Sequence, residues 1–201
     1  MSAEVPSVEI TSAEPKMATQ VPGDDVASTT EINKTTDKAG PNPEIPVKVG
    51  VTSIIQNKEG KFLCSIRQGS HGAGTWQFPG GGMRLGEELL GCAEREVREE
   101  TGLEVKAHGI VAYTNDCFRS ENKHYLTPFA KCTMVNPDQE PKLMEPGKCE
   151  GWTWKSWEEL VAINDAAAAG TATNALFLPL VNLIKQTAGL SLDEFMTQKG
   201  F

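Results

Sequence analysis

The chain has 201 residues, 39% of them apolar, and a formal net charge of −8, which suits one domain with a sizeable core and is short for two. A net-negative body disfavours duplex nucleic acid, which needs clustered Lys and Arg against its phosphates, whereas a free nucleotide needs only a small basic patch. No run of about 18 apolar residues is present to span a membrane, and the acidic start lacks a signal-peptide core or an Arg-rich transit pattern, so the expected location is the cytoplasm.

Residues 1–46 contain no Phe, Trp or Tyr but half of the twelve prolines and ten Ser or Thr. Eight acids against Lys16, Lys34 and Lys38 put a net −5 there, so most of the acidity belongs to this segment. It cannot bury enough surface to fold, and the reading is a disordered acidic tail at 1–46 ahead of one domain at 47–201. Order should begin with VKVGVTSII, followed by the turn NKEG and the strand KFLCSIR, which together look like a hairpin. QGSHGAG reads as a glycine-rich loop, TWQF as a short strand and PGGG as backbone that only glycine shapes freely.

From about Glu87 to Thr101 the pattern turns helical, and Gly102 suits the left-handed position after a helix, with Leu103 folding back toward Val97. HGIVAYTNDCF and HYLTPFAKCTMV read as two strands, WTWKSWEEL as a strand entering a helix, NALFLPLVNLIKQ as an amphipathic helix and LSLDEFM as a last short one. This order lacks regular βαβ alternation and predicts an α+β protein with a mixed sheet. Cys64, Cys92, Cys117, Cys132 and Cys149 are odd in number and widely spaced, and are expected to be reduced packing residues.

On a helical wheel Leu89, Leu90, Ala93 and Val97 form the core face, while Glu88, Glu94, Arg95 and Arg98 lie away from it, as a solvated face requires. Glu96 and Glu100 do not fit that reading: four residues apart, they share one stripe at the edge of the apolar arc, with Glu99 beside them. Three like charges at a half-buried edge repel unless a cation neutralises them. Hard carboxylate oxygens select magnesium, with manganese able to substitute, and magnesium takes phosphate as a further ligand. A phosphate-bearing substrate is therefore implied.

The segment Gly81 to Leu103, GGMRLGEELLGCAEREVREETGL, fills every fixed position of the pattern Gx5Ex7REUxEExGU, where U is a bulky apolar residue. Gly81, Glu87, Arg95, Glu96, Val97, Glu99, Glu100, Gly102 and Leu103 stand at those places, and in this the chain resembles the Nudix hydrolase family. The resemblance implies an α/β/α sandwich and Glu96, Glu99 and Glu100 as metal ligands, with the Gly81 carbonyl adding to them. It implies Arg95 paired with a box Glu, Glu87 assisting at the site edge, and a water deprotonated by one of the ligand carboxylates or a distal Glu. Glu145 and Glu150 are both candidates for a distal metal carboxylate.

Outside the box, SIRQGSHGAGTWQFPGG, EPGKCEGWTW and LFLPLVNL resemble the eukaryotic MutT-like nucleotide triphosphate diphosphatases, which are usually homodimers. That likeness implies Arg67 near the phosphates and Gln77 beside the base, with a solvated strand-end Arg and a turn Gln as the plainer readings. Gly80 and Gly81 would approach the phosphates closely, and Lys148 would meet one of them or solvent. A purine would stack on an aromatic ring, for which Trp76, Trp152, Trp154 and Phe177 are available. Gly82 departs from relatives that carry a larger residue there. The expected activity is hydrolysis of a nucleoside triphosphate, with a modified or oxidised purine, to monophosphate and pyrophosphate. The alternatives are a hydrolase of a terpenyl diphosphate or nucleotide sugar, and a nucleotide-binding module with little catalysis.

Overall fold

The computed structural model describes residues 45–188 and 192–197, so the expected tail at 1–46 lies almost wholly outside the described residues. Strands β1 (Val47–Ile55), β2 (Phe62–Arg67), β3 (Trp76–Gln77) and β4 (Gly80–Gly82) precede helix α1 (Leu89–Thr101). Strands β5 (Val105–Phe118), β6 (Lys123–Met134) and β7 (Cys149–Lys155) follow, then helices α2 (Trp157–Ala168), α3 (Leu178–Thr187) and α4 (Leu192–Thr197). The strands form a four-stranded sheet, β4-β1-β6-β5, and a three-stranded antiparallel sheet, β3-β2-β7. The larger sheet is mixed, because β1 runs parallel to β6 while its other pairings are antiparallel. This is the α+β arrangement that the element order predicts.

The expected β1–β2 hairpin is a correction. Only its turn is paired, through the Gln56–Phe62 bridge and the Asn57 N–H to Lys61 carbonyl bond at 3.0 Å. The two strands then diverge into different sheets. Both are flanked by better partners: β1 takes β6 and β4, and β2 takes β7 and β3.

Adjacent residues of the strands serve opposite cores, because side chains alternate across a sheet. Ile55, Ala130 and Ile110 join Val97, Ala93 and Leu103 on the α1 side, while Ile54, Phe129 and Val111 join Leu160, Leu180 and Leu183 of the α2 and α3 side. A sheet covered on both faces explains why its strands read as apolar runs rather than as alternating ones. Helix α1 ends as expected at Gly102, whose φ of 69° is left-handed and whose N–H reaches the Arg98 carbonyl. Helix α2 begins with a reciprocal cap: Ser156 Oγ accepts from Glu159 N–H, and the Glu159 carboxylate accepts from Ser156 N–H. Cys64, Cys92, Cys132 and Cys149 are buried and free, and burial pushes the thiols of Cys64, Cys92 and Cys132 up to about 12, which suits packing residues. Among the described residues no helix is long and apolar enough to cross a membrane.

Candidate active site

The site lies where the C-terminal half of α1 meets the short strand β4. Glu96 and Glu100 are 6% and 4% exposed, far more buried than carboxylates ordinarily are. Both turn toward the glycine strand: Gly80 N–H donates to Glu100 Oε2 at 3.0 Å, and the Glu96 carboxyl crowds Gly81. A Cβ on Gly81 would sit 2.4 Å from Glu96 Cδ, so the absence of a side chain there is what admits the carboxylate.

Burial pushes the Glu100 carboxyl up to about 7; the Gly80 N–H and Lys148 oppose the rise, and Glu96 and Glu145 add to it. Glu145 belongs to this acidic group, with Lys148 Nζ 2.7 Å from its Oε2, and that contact holds the Lys148 ammonium above its ordinary range. Glu150 is exposed on β7, and neither it nor Glu145 lines the cavity.

Arg95 corrects the wheel-based expectation of a solvated face. Its side chain is only 12% exposed, with Nε 2.6 Å from Glu87 Oε1 and Nη2 2.8 Å from Glu87 Oε2. Its Nη1 donates to Glu96 at 2.6 Å and Glu99 at 3.0 Å, and its Nη2 also reaches the Gly82 carbonyl at 3.1 Å. One guanidinium thus gathers three carboxylates and the glycine strand, as its planar set of donors permits. The Arg95 bond brings Glu87 down to about 2. Burial tends to raise Glu99, but Arg95 and Arg84 outweigh it and leave that carboxyl below its usual range.

Among the described residues no three His, Cys, Asp or Glu side chains stand close enough together to enclose an ion, because Arg95 and Arg84 hold Glu99 and Arg95 holds Glu96. The donor chemistry nonetheless fits a hard divalent cation. Two buried carboxylates repel each other beside a glycine strand, and against the Glu100 charge stand the Gly80 N–H and the Lys148 ammonium.

Beyond the carboxylates opens a cavity of about 440 Å3 whose lining includes Gly80, Gly81, Glu100, Lys148, Arg67, Gln77 and Phe177. Arg67 ends β2 half-buried; its Nε donates to the His71 carbonyl at 2.9 Å, its Nη1 bonds Gln77 Oε1, and its guanidinium lies 4.2 Å from the centre of the Phe177 ring. Phe177 projects here because it is the extended residue just before α3, which has Pro179 in its first turn. Trp76 packs instead on the α3-side core, and Trp152 and Trp154 pack on the α1-side core.

Sequence reasoning missed three aromatic residues that line the cavity with Phe177: His71, Phe118 and Tyr125. The Phe118 and Phe177 rings stack at 5.3 Å, and the His71 ring stands 4.5 Å from Phe118 and 5.7 Å from Tyr125. Phe118 and Tyr125 flank the turn between β5 and β6, and His71 Nδ1 meets Glu121 of that turn at 2.7 Å. The available signal was aromatic residues placed at the ends of two adjacent strands.

Fold, box and carboxylate geometry together define a Nudix-type protein. A family model described as the NUDIX domain matches residues 46–179, and the chain belongs to that family. It is 39% identical over 117 residues to Nudix hydrolase 10 of Arabidopsis thaliana, covering 56% of this chain and 38% of that protein. It is 29% identical over 119 residues to an RNA pyrophosphohydrolase of Acinetobacter baylyi, covering 52% of this chain and 70% of that one. The fold matches the crystal structure of a MutT protein from Methanosarcina mazei Go1 with a TM-score of 0.56 at 24% identity, over 72% of this chain and 96% of that one. The chain spans less than half the length of the Arabidopsis thaliana relatives it matches. Nudix hydrolases generally use divalent metal ions.

Proposed function

We propose that this protein hydrolyses a nucleoside triphosphate, with a modified or oxidised purine as its base, to monophosphate and pyrophosphate, using magnesium. The observation that carries the reading is the junction of two unlike surfaces: buried Glu96 and Glu100 against the Gly80–Gly81 backbone at one end, and an Arg67 and aromatic-lined cavity at the other. Its volume of about 440 Å3 suits a ligand of nucleotide size.

Glu96, Glu99, Glu100, Glu145 and the Gly81 carbonyl would hold the metal, which when bound lowers the pKa of a water and neutralises charge on the phosphates. Arg95 keeps Glu87, Glu96 and Glu99 on the same side of α1 as the glycine strand. Arg67 and Lys148 supply positive charge along the cavity. The aromatic rings exclude water from the base and give it a flat surface, so binding of the base fixes where the phosphates lie. The general base falls among Glu96, Glu99 and Glu100. A cytoplasmic homodimer is part of this proposal, on the resemblance to the MutT-like diphosphatases alone.

A second reading, cleavage at the 5′ triphosphate end of an RNA, is favoured by relatives named RNA pyrophosphohydrolase. Acids outnumber Lys and Arg by three in residues 47–201, and the absence of a basic excess argues against a long polyanion. The experiment is a panel of nucleoside triphosphates, a nucleotide sugar, a terpenyl diphosphate and a 5′-triphosphorylated RNA, with magnesium and product analysis. Monophosphate plus pyrophosphate from a free triphosphate supports the proposal; turnover confined to any of the other three overturns it.

A further inference from the structure

The cavity draws its walls from both sheets: Thr52, Tyr125 and Thr127 come from the larger one, Arg67 and Gln77 from the smaller. Residues 68–71, which begin the loop from β2 to β3, line it as well. The aromatic end includes Phe118 and Tyr125, on either side of the single 3-10 turn Arg119–Glu121 that joins β5 to β6.

His71 ties that loop to that turn. Its ring packs among Phe118, Tyr125 and Phe177, with centroids 4.5, 5.7 and 5.3 Å away, and its Nδ1 lies 2.7 Å from Glu121 Oε2. A carboxylate oxygen only accepts, so Nδ1 carries the hydrogen of this bond. Glu121 itself does not line the cavity and can act there only through His71.

The surroundings suit a contact that opens and closes. Gly69 and Gly72 flank His71 with φ of 85° and 68°, where the backbone turns without a Cβ to hinder it. Gly72 also seats the loop, since a Cβ there would stand 2.5 Å from the Phe177 ring. Glu121 has a second partner in Lys123, whose Nζ is 2.7 Å from the same Oε2. Lys123 first and His71 second hold the Glu121 carboxyl below its usual range. Release of His71 therefore leaves the carboxylate paired, and opening strands no charge. Closing has a further effect: the His71 carbonyl accepts from Arg67 Nε at 2.9 Å, so a seated loop also fixes the guanidinium in the cavity wall.

We propose that Glu121 is a positioning residue: its carboxylate clasps His71, which closes the 68–74 loop on the aromatic end of the cavity and so slows release of a bound base. The assignment rests on the nucleotide reading of the site and deepens it.

The test compares the full-length wild type with Glu121→Ala, His71→Ala and the double variant. The first readout needs no ligand. It is hydrogen exchange in EDTA at the amides of residues 68–75, among which Gln68, Gly74 and Thr75 are bonded in the closed loop. Glu121→Ala should speed this exchange about threefold to fivefold, the scale of a partly exposed ion pair, and leave the amides of α3 unchanged. The second readout is stopped-flow release of guanosine 5′-monophosphate, which should quicken by the same factor; for triphosphate turnover with magnesium, KM should rise with kcat kept. In the His71→Ala background, Glu121→Ala should add nothing further to either readout.

Unchanged exchange in Glu121→Ala, exchange quickened alike in α3 and the loop, or a Glu121→Ala effect of equal size with and without His71 would overturn the assignment. Quickened loop exchange without binding of guanosine monophosphate or turnover of any triphosphate would sink the nucleotide reading and leave the clasp. Nucleotide binding and hydrolysis that Glu121→Ala does not alter would do the reverse.

Discussion

Glu100 should make the metal-free protein less stable as pH rises, and Glu100→Gln should remove that dependence. The folded-state pKa of about 7 stands above the ordinary 4.5 because burial disfavours the charged form. Below pH 4.5 the carboxyl is protonated in both folded and unfolded chains and costs nothing. Between 4.5 and 7 the unfolded chain ionises first, and above 7 the folded state carries the full cost of a buried charge. A difference of about 2.5 units corresponds to about 3 kcal/mol at pH 8. Glu100→Gln keeps an oxygen for the Gly80 N–H and carries no charge. Urea unfolding of both proteins in EDTA at pH 5, 6, 7 and 8 should show the variant gaining stability on the wild type through that window, toward about 3 kcal/mol. Added magnesium should stabilise the wild type and leave the variant nearly unmoved. A stability difference independent of pH, or a wild type that strengthens relative to the variant as pH rises, would refute the reasoning.

Arg95→Ala strands three carboxylates around one lost cation, and should cost roughly 3 kcal/mol or more in thermal or chemical unfolding, well beyond a surface ion pair. Gly81→Ala drives a methyl group into Glu96 and should lower kcat by about a hundredfold, with far-ultraviolet circular dichroism unchanged. Phe177→Ala removes a stacking ring and should raise KM for nucleotides about tenfold with kcat nearly kept, as steady-state kinetics would show.

The carboxylate end of the site was legible because it is written on one helix. A period of 3.6 residues places Glu96 and Glu100 on one stripe, and the structure buries both. The same wheel misplaced Arg95, because helical periodicity counts neighbours along the helix and cannot see Glu87 or the Gly82 carbonyl arriving from the preceding loop. The aromatic end was largely hidden. His71, Phe118, Tyr125 and Phe177 come from a loop, two strand ends and a helix start, and only tertiary packing brings them together. In the fold, strand identities were readable, but the β1–β2 partnership was not, since the competition from β6 and β7 is non-local.

The central claim is that α1 and the glycine strand gather a divalent cation next to a nucleotide. Crystals of the full chain grown with manganese and a non-hydrolysable nucleoside triphosphate, measured at the manganese absorption edge, test it most directly. The account predicts anomalous density shared by Glu96, Glu100 and the phosphates, with the base in the aromatic-lined cavity; density elsewhere, or Glu96 and Glu100 turned apart with no ion between them, would contradict it.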